Sequence, residues 1–266
     1  MPSTSPAPSR LSSAQIDTFN QEGWIIPTEP VFPSEKFEGL KTFFEDLLDD
    51  LETDVRPELM DVPHFQHPEL FEWLLSDEVL GLVQPILGPD IALFSSHFIC
   101  KPQGDGKRVP WHEDSAYWRG MLDPMEVVTV WLAIDSSRKE NGCMSVVPRS
   151  HNYDDIAAEA AVFPTEITPT QRNDAAAVPI ELEANHCSLH DGRLIHGSPP
   201  NTSSLRRCGY TMRYISSGTK LNEKDFPWHQ LYLASGQAHG VNQFADPNKA
   251  YHDLARYRSK HGKRVH

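Results

Sequence analysis

Three things are scarce in this chain of 266 residues: cysteine, long apolar runs and positive charge. Its four cysteines, Cys100, Cys143, Cys187 and Cys208, are far apart and include no C-x-x-C pair. We therefore expect neither a disulfide framework nor a structural zinc site, and a reducing compartment, the cytoplasm, is the expected location. No stretch approaches the ~20 apolar residues of a membrane helix. The first ten residues, MPSTSPAPSR, lack the apolar core of a secretory signal.

Positive charge is outnumbered, with 24 Lys and Arg against 37 Asp and Glu and a formal net charge of −13. A general nucleic-acid-binding protein needs a basic face to displace counterions, and a surface drawn to anionic lipid needs clustered cations. The sequence therefore predicts no nucleic acid and no membrane as partner, and it leaves the oligomeric state open. Histidine is abundant, at 13 residues, which justifies a search for a metal site.

The chain changes character near residue 91. Before it, apolar periodicity predicts helices over residues 11–23, 34–54 and 68–87, with a short strand at 24–26. After it come short segments rich in β-branched and aromatic residues, with hairpin corners at Asn141-Gly142 and Asp191-Gly192. Helices followed by strands predict a mainly β fold with α-helices, of the α+β class, in which the helices pack on one side of a β-sandwich or barrel. The predicted strands cover residues 91–100, 127–134, 142–147, 186–190, 193–197 and 209–215.

We expect one domain over residues 11–250. It consists of helical decoration at 11–90, a β core at about 91–217 and an insertion at 152–180 that is part helical, over 154–161. Residues 1–10 are expected to form a disordered tail and residues 251–266 a basic tail.

The segment from Val109 to Trp118, VPWHEDSAYW, carries the first chemical signal. In an extended chain His112 and Asp114 point to the same face, because side chains alternate along a strand. An imidazole and a carboxylate at that spacing can hold two adjacent positions of a metal, although H-x-D alone is a frequent chance match. By the same alternation Trp111 should point away from His112.

A third ligand must come from a distant strand, and the candidates are His186, His190 and His196. His196 is favoured because it ends an apolar strand before the small residues Gly197 and Ser198, which leave open space beside the ring. We expect His190 to make a structural hydrogen bond and His186 to lie in the core or at its rim. Two histidines and one carboxylate form the facial triad of non-haem Fe(II) oxygenases.

A basic pair follows the His196 turn, at Arg206 and Arg207. A guanidinium that points inward can bind a carboxylate through two hydrogen bonds, as an anchor for a dicarboxylate co-substrate requires. Arg207 is favoured because Gly209 leaves room beside it on the same strand face, while Arg206 and Arg213 are rivals. Lys101 is expected at the surface.

Four segments together resemble the phytanoyl-CoA dioxygenase family of Fe(II)- and 2-oxoglutarate-dependent oxygenases. They are WHEDSAYW at 111–118, NGCMSVVPRSH at 141–151, the His196-Gly197-Ser198 turn with Asn201, and the strand of Arg207, eleven positions after His196. The resemblance implies a double-stranded β-helix, a cupin-like jelly roll with the metal inside one end. The sequence departs from the family pattern at Arg149, where relatives commonly have a small residue. We expect Arg149 to lie on the surface.

The resemblance also implies residue roles. His112, Asp114 and His196 would bind Fe(II), and Arg207 would bind the far carboxylate of 2-oxoglutarate. The expected activity uses O2 to hydroxylate an unactivated C–H bond of a small organic molecule, with release of succinate and CO2. Further expected contacts to the co-substrate are His97, Thr129, Trp131 and Thr211, and the expected pocket walls are Tyr117 and Trp118.

Two other functions are compatible with parts of the sequence. A cupin-like metalloenzyme that does not use 2-oxoglutarate would need the histidines but not Arg207. A non-catalytic jelly-roll domain that binds a metal or a partner would not need a complete triad.

Overall fold

Among the residues that the structure describes, the complete α-helices lie in the N-terminal third of the chain. The computed structural model describes residues 6–51, 55–153, 166–167 and 176–252. Ser12 caps the first helix and exchanges hydrogen bonds with Gln15, and Gly23 ends it at φ 80°. The first two predicted helices are confirmed, although residues 52–54 of the second lie outside the described residues. The helices are α1 (Ser13–Glu22), α2 (Ser34–Asp49), α3 (Phe71–Leu74) and α4 (Asp77–Leu87).

The single helix predicted over residues 68–87 is wrong, because the chain breaks it at Ser76. A 3₁₀ turn (Pro68–Leu70) leads into α3, and Ser76 is then extended at ψ 150° before α4 begins. The Ser76 hydroxyl donates to the carbonyl of Trp73 at the end of α3. Asp77 and Glu78 occupy the first turn of α4, where the helix dipole favours acidic groups. Apolar periodicity runs through this break and therefore hides it.

Most strands form one antiparallel seven-stranded sheet, here called the major sheet. β1 and β2 precede the expected core of residues 91–217 and β13 follows it, so the sheet is wider than expected. Its order is β1 (Trp24–Ile25), β9 (Cys187–Asp191), β6 (Val128–Ala133), β11 (Arg207–Ser216), β3 (Ile91–Lys101) and β13 (Tyr232–Ser235), with β2 (Met60–Asp61) also paired to β3.

A second antiparallel sheet of four strands, here called the minor sheet, closes the jelly roll. A separate ribbon pairs β5 (Leu122–Asp123) with β12 (Lys220–Leu221). The minor sheet has the order β4 (Val109–His112), β10 (His196–Ser198), β7 (Ser145–Val146) and β8 (Val178–Pro179).

The two predicted hairpin corners are connections between the sheets. The chain passes from β9 to β10 through Asp191-Gly192, and from β6 to β7 through Asn141-Gly142, but neither pair of strands is hydrogen-bonded together. Gly142 has a φ of 78°, which suits the sharp turn. The residue types predicted the turns correctly, but each strand takes its partners from elsewhere in the chain.

The major sheet has one apolar face, and its other face carries the polar residues of the site among apolar ones. Even-numbered residues of β6 and β11 pack into the core beneath the helices, whereas the odd-numbered residues face the minor sheet. Each fully buried large apolar side chain contributes about 1.5–3 kcal/mol. The expected α+β jelly roll with N-terminal helices packed on one sheet is confirmed. Central core residues are Leu40, Phe44, Val79, Leu82, Val130, Leu132, Tyr210 and Met212.

The expected terminal tails and insertion are only partly described. Of the residues expected in the first tail, Arg10 lies against the helices and donates to the carbonyls of Pro30, Val31 and Glu78. Residues 1–5, 253–266 and most of the insertion, including its predicted helix at 154–161, lie outside the described residues. No helix among the described residues has the length and apolar character needed to cross a membrane.

Candidate active site

The two favoured histidines face each other across the minor sheet. His112 on β4 is the register partner of His196 on β10. The Nδ1 atom of His112 lies 2.7 Å from the carbonyl oxygen of Pro110, and that of His196 lies 2.9 Å from the carbonyl oxygen of Leu194. A carbonyl oxygen only accepts, so each Nδ1 carries the proton. Each Nε2 therefore keeps its lone pair for a metal.

Asp114 completes the group. Glu113 is extended, so Asp114 returns to the side of His112 before the chain turns into a 3₁₀ helix (Asp114–Trp118). The Oδ1 atom of Asp114 lies 3.5 Å from Nε2 of His112 and 3.9 Å from Nε2 of His196. All three ligand atoms lie within 4.8 Å of one another, and all three residues are buried. Two neutral imidazoles and one carboxylate oxygen at these distances fit one face of a divalent metal ion.

Arg213 holds the carboxylate of Asp114 in place. Its Nε donates to Oδ2 at 3.2 Å, which leaves Oδ1 for a metal, and its guanidinium lies 5.4 Å from the ring of Trp118. Burial alone would raise the pKa of Asp114, but Arg213 and the two imidazoles lower that pKa well below its ordinary range. Burial lowers the pKa of His196 well below its ordinary value. Near pH 7 the carboxylate of Asp114 is therefore charged and the ring of His196 is neutral.

A cavity of about 370 Å³ opens beside the triad, between the two sheets. Arg207 reaches into it from β11 with 2% of its surface exposed, and its guanidinium lies 4.7 Å from the ring of Trp131. A Cβ atom on Gly209 would lie 2.1 Å from the Trp131 indole, so only glycine leaves this space. Of the described residues, none offers a carboxylate to Arg207 as an ion pair, and its Nε has no hydrogen-bond partner.

Lys101 is not the surface residue that the sequence suggested. It is the register partner of Arg207 and is fully buried behind the cavity wall. Its ammonium donates to the hydroxyl of Ser198 at 2.7 Å and to the carbonyl of Pro199 at 2.5 Å. Burial and the neighbouring guanidinium lower the pKa of Lys101 to about 7. Two buried basic side chains thus lie on neighbouring strands, with Arg207 in the cavity and Lys101 behind its wall.

Of the other expected co-substrate residues, His97, Trp131 and Thr211 line the cavity, but Thr129 does not. Thr211 donates to the carbonyl of His97 at 3.1 Å. Nε2 of His97 lies 3.0 Å from the carbonyl oxygen of Glu58. Thr129 is fully buried. It is the register partner of His190 and lies one row of paired residues away from Trp131 and Thr211.

The two residues expected to line the pocket, Tyr117 and Trp118, have different surroundings. Tyr117 lines the cavity, with its ring 5.6 Å from that of His112. Trp118 is fully buried against Phe94 and Arg213, so it packs the core behind the site and does not wall the cavity. In a 3₁₀ helix, residues three apart share one side, which places Tyr117 with Asp114 and turns Trp118 away.

Two other arginines of the sequence analysis, Arg206 and Arg149, lie away from the cavity. Arg206 lies outside the cavity and pairs with Glu45 and Asp135. Arg149 is exposed and pairs with Glu22, as expected for a surface residue.

Trp111 and His190 differ in their relation to the main cavity. Trp111 lies against Gly197, in a groove separate from the main cavity. His190 lines the cavity with neither ring nitrogen hydrogen-bonded to a described residue, so its expected structural hydrogen bond is wrong. Burial lowers the pKa of His190 to about 4.

Sequence reasoning missed three features: the burial of Lys101, the hydroxyl of Ser198 beside it, and the pairing of Arg213 with Asp114. The signal for Arg213 was present, because Arg207, Thr211 and Arg213 share one strand face. Lys101 carried a weaker signal, since it ends a strand that has no other Lys, Arg, Asp or Glu.

Replacing Arg213 tests the support of Asp114. In Arg213→Gln the carboxylate stays buried without its cation, and we expect a loss of about 3–5 kcal/mol in the free energy of unfolding. Affinity for a divalent metal should fall about 10–100-fold. Urea denaturation and metal titration measure both. Arg206→Gln, which breaks partly exposed ion pairs, is the matched control and should cost at most about 1 kcal/mol without changing metal affinity. Equal effects in both variants would contradict this role.

The burial of Lys101 makes stability depend on pH. An unfolded lysine has a pKa of about 10.4, so between pH 7 and 10 the unfolded chain binds more protons than the folded one, and stability rises with pH. We expect the free energy of unfolding of the wild type, relative to Lys101→Met, to increase by about 1.4 kcal/mol per pH unit across this window. Urea denaturation at several pH values checks this. Lys107→Met, which alters an exposed lysine, should track the wild type, and parallel curves for the wild type and Lys101→Met would be the contrary result.

Comparison with known proteins places this site in a family. A family model described as phytanoyl-CoA dioxygenase matches residues 19–209. A probable alpha-ketoglutarate-dependent hypophosphite dioxygenase of Stutzerimonas stutzeri is 31% identical over 153 residues, which are 54% of this chain and 52% of that protein. An ectoine dioxygenase of Halomonas elongata is 29% identical over 157 residues, 53% of this chain and 46% of that protein. The chain spans about half the length of these curated relatives.

Solved structures share the fold. A non-heme monooxygenase, ThoJ, superposes with a TM-score of 0.73 at 21% identity, covering 94% of this chain and 95% of that one. EctD from S. alaskensis, solved with 2-oxoglutarate and 5-hydroxyectoine, has a TM-score of 0.67 at 20% identity and covers 83% and 84%. The family model covers well over half of the sequence, and it includes the triad and Arg207. The resemblance is thereby confirmed, and the chain belongs to the phytanoyl-CoA dioxygenase family.

Proposed function

We propose that the protein is an Fe(II)- and 2-oxoglutarate-dependent oxygenase that hydroxylates an unactivated C–H bond of a small organic molecule. One observation carries the proposal: Arg207 enters the cavity that His112, Asp114 and His196 also line, and Lys101 is buried behind the wall beside Arg207. The described residues supply no carboxylate to pair with either cation. Buried charges are normally paired, so an anionic ligand is the missing partner.

The ligand set fits ferrous iron, with two neutral imidazoles and one carboxylate. When bound, iron together with 2-oxoglutarate and O2 supplies the oxidising power, and succinate and CO2 are the co-products. The protein orients the reactants and excludes water from them. Arg213 keeps Asp114 charged and turned toward the histidines, and the Nδ1 hydrogen bonds fix both rings in the metal-binding tautomer.

The far carboxylate of 2-oxoglutarate is expected at Arg207. A guanidinium offers two parallel donors to a carboxylate, and the Trp131 ring holds it by a cation–π contact. Lys101 adds a second positive charge, and the Ser198 hydroxyl that it contacts lines the same wall. Curated relatives named for hypophosphite, ectoine and L-proline support a small-molecule substrate.

The alternatives account for less of the site. A metalloenzyme that does not use 2-oxoglutarate has no need of an unpaired buried guanidinium in the cavity beside the triad. A non-catalytic domain gains nothing from a cavity that joins the triad to Arg207. In both cases the burial of Lys101 and Arg207 would be a cost without a benefit.

The decisive experiment loads the purified protein with Fe(II) and 2-oxoglutarate. We expect a weak visible charge-transfer band without oxygen and succinate release with oxygen. His112→Ala should abolish both, because a metal ligand is lost. His186→Ala is the matched control: it removes a partly exposed histidine outside the cavity and should keep both signals. Wild-type levels of succinate from His112→Ala would contradict the proposal.

The co-substrate anchor has its own test. Arg207→Met should raise the KM for 2-oxoglutarate about 10–100-fold, because the loss of one charge-assisted pair to a carboxylate costs about 1.5–3 kcal/mol. Metal affinity should stay near that of the wild type. Arg206→Met removes the preceding arginine and should leave the KM unchanged. An unchanged KM in Arg207→Met would move the anchor elsewhere.

A further inference from the structure

His190 has an environment that the metal and the co-substrate do not explain. It lies on β9 with 1% of its surface exposed, and it lines the cavity with its ring 5.0 Å from that of His196. Neither of its ring nitrogens has a hydrogen-bond partner among the described residues. A buried neutral imidazole has one donor and one acceptor and normally uses at least one of them.

The residues in register with His190 continue a polar row across the inner face of the major sheet. Thr129 is its partner on β6, and Arg213 on β11 and Ser95 on β3 follow. The hydroxyls of Thr129 and Ser95 also lack hydrogen-bond partners among the described residues, and both are buried. Unpaired polar atoms thus collect in the same row as Arg213, which contacts Asp114.

This row is remote from the co-substrate anchor. Arg207 lies six positions before Arg213 along β11, at the other end of the sheet's inner face. Its guanidinium lies 4.7 Å from the ring of Trp131, and that ring extends toward Gly209, which is the residue after Arg207 on this face. A keto acid that extends from the triad toward Arg207 therefore runs away from His190.

We propose that His190 hydrogen-bonds a polar group of the primary substrate, the molecule that is oxidised. That substrate then carries a hydroxyl, amino or carbonyl group close to the C–H bond that reacts, rather than a plain hydrocarbon chain. The inference rests on the proposed function and narrows its substrate class. An alkyl chain against this wall would leave both ring nitrogens buried without partners, which penalises binding. A polar group restores the hydrogen bonds that water supplies in the free enzyme.

The test measures binding in a protein that cannot turn over. Protein loaded with Zn(II) and N-oxalylglycine, a redox-inert analogue of the keto acid, is exposed to three panels of compounds: polyols and sugars, amino acids and amines, and saturated fatty acids. Thermal shift measures binding. We expect wild-type protein to bind members of the polar panels and His190→Leu to bind them at least tenfold more weakly. His190→Asn, whose amide keeps a donor and an acceptor, should recover part of the loss.

Controls separate this role from others. His186→Leu, at a partly exposed histidine four positions earlier, should bind like the wild type. The affinity of His190→Leu for N-oxalylglycine should stay within about twofold of the wild type, whereas Arg207→Met should lose it. With Fe(II) and O2, succinate release stimulated by the polar binders should fall in His190→Leu and stay near the wild-type level in His186→Leu.

Three results would overturn the inference. One is that only fatty acids bind, or that no polar compound binds. Another is that polar compounds bind equally to the wild type and to His190→Leu. The third is that His190→Leu loses N-oxalylglycine as Arg207→Met does, which would assign the ring to the keto acid. Failure of the wild-type protein to take up metal and N-oxalylglycine would instead overturn the proposed function, and this inference with it.

Discussion

Successive side chains of a β-strand point to opposite faces, and the site of this protein depends on that constraint. Along β11, Tyr210 and Met212 enter the core beneath the helices, while Arg207, Thr211 and Arg213 enter the space between the sheets. A slip of one residue in register would bury both arginines in the core and empty the cavity of its charges. The apolar face stabilises the fold, and this lets the opposite face carry the polar groups of the site.

The charge of the cavity is opposite to that of the molecule. The chain has a net charge of −13. Yet its buried interior near the site holds Lys101, Arg207 and Arg213, with Asp114 as the buried carboxylate that lines the cavity. Arg213 and Asp114 neutralise each other, so the charge of Arg207 remains, together with that of Lys101 when it is protonated. A dicarboxylate has the charge that compensates them. The acidic residues of the exterior do not compensate them, because they lie in water, outside the low-dielectric interior.

Much of the fold and part of the site could be predicted from the sequence because they depend on local patterns of residues. The H-x-D pair needs only one extended residue between its members. His196 is far along the chain but is marked by the small residues that follow it, and Arg207 comes eleven positions later. Lys101 and His190 could not be predicted, since their burial depends on which strands pair beside them. The break at Ser76 was hidden because apolar residues keep helical spacing on both sides of it. The turns at Asn141 and Asp191 were found, but turn residues do not say which sheet the next strand joins.

The triad and its support come from different layers of the jelly roll. His112 and His196 belong to the minor sheet and Asp114 follows it, whereas Arg213 belongs to the major sheet. A metal held by the triad would therefore tie the two layers together through the Asp114–Arg213 contact. Since a ligand that binds only the folded state adds its binding free energy to folding, the lifetime of this protein in a cell would follow the local supply of the metal.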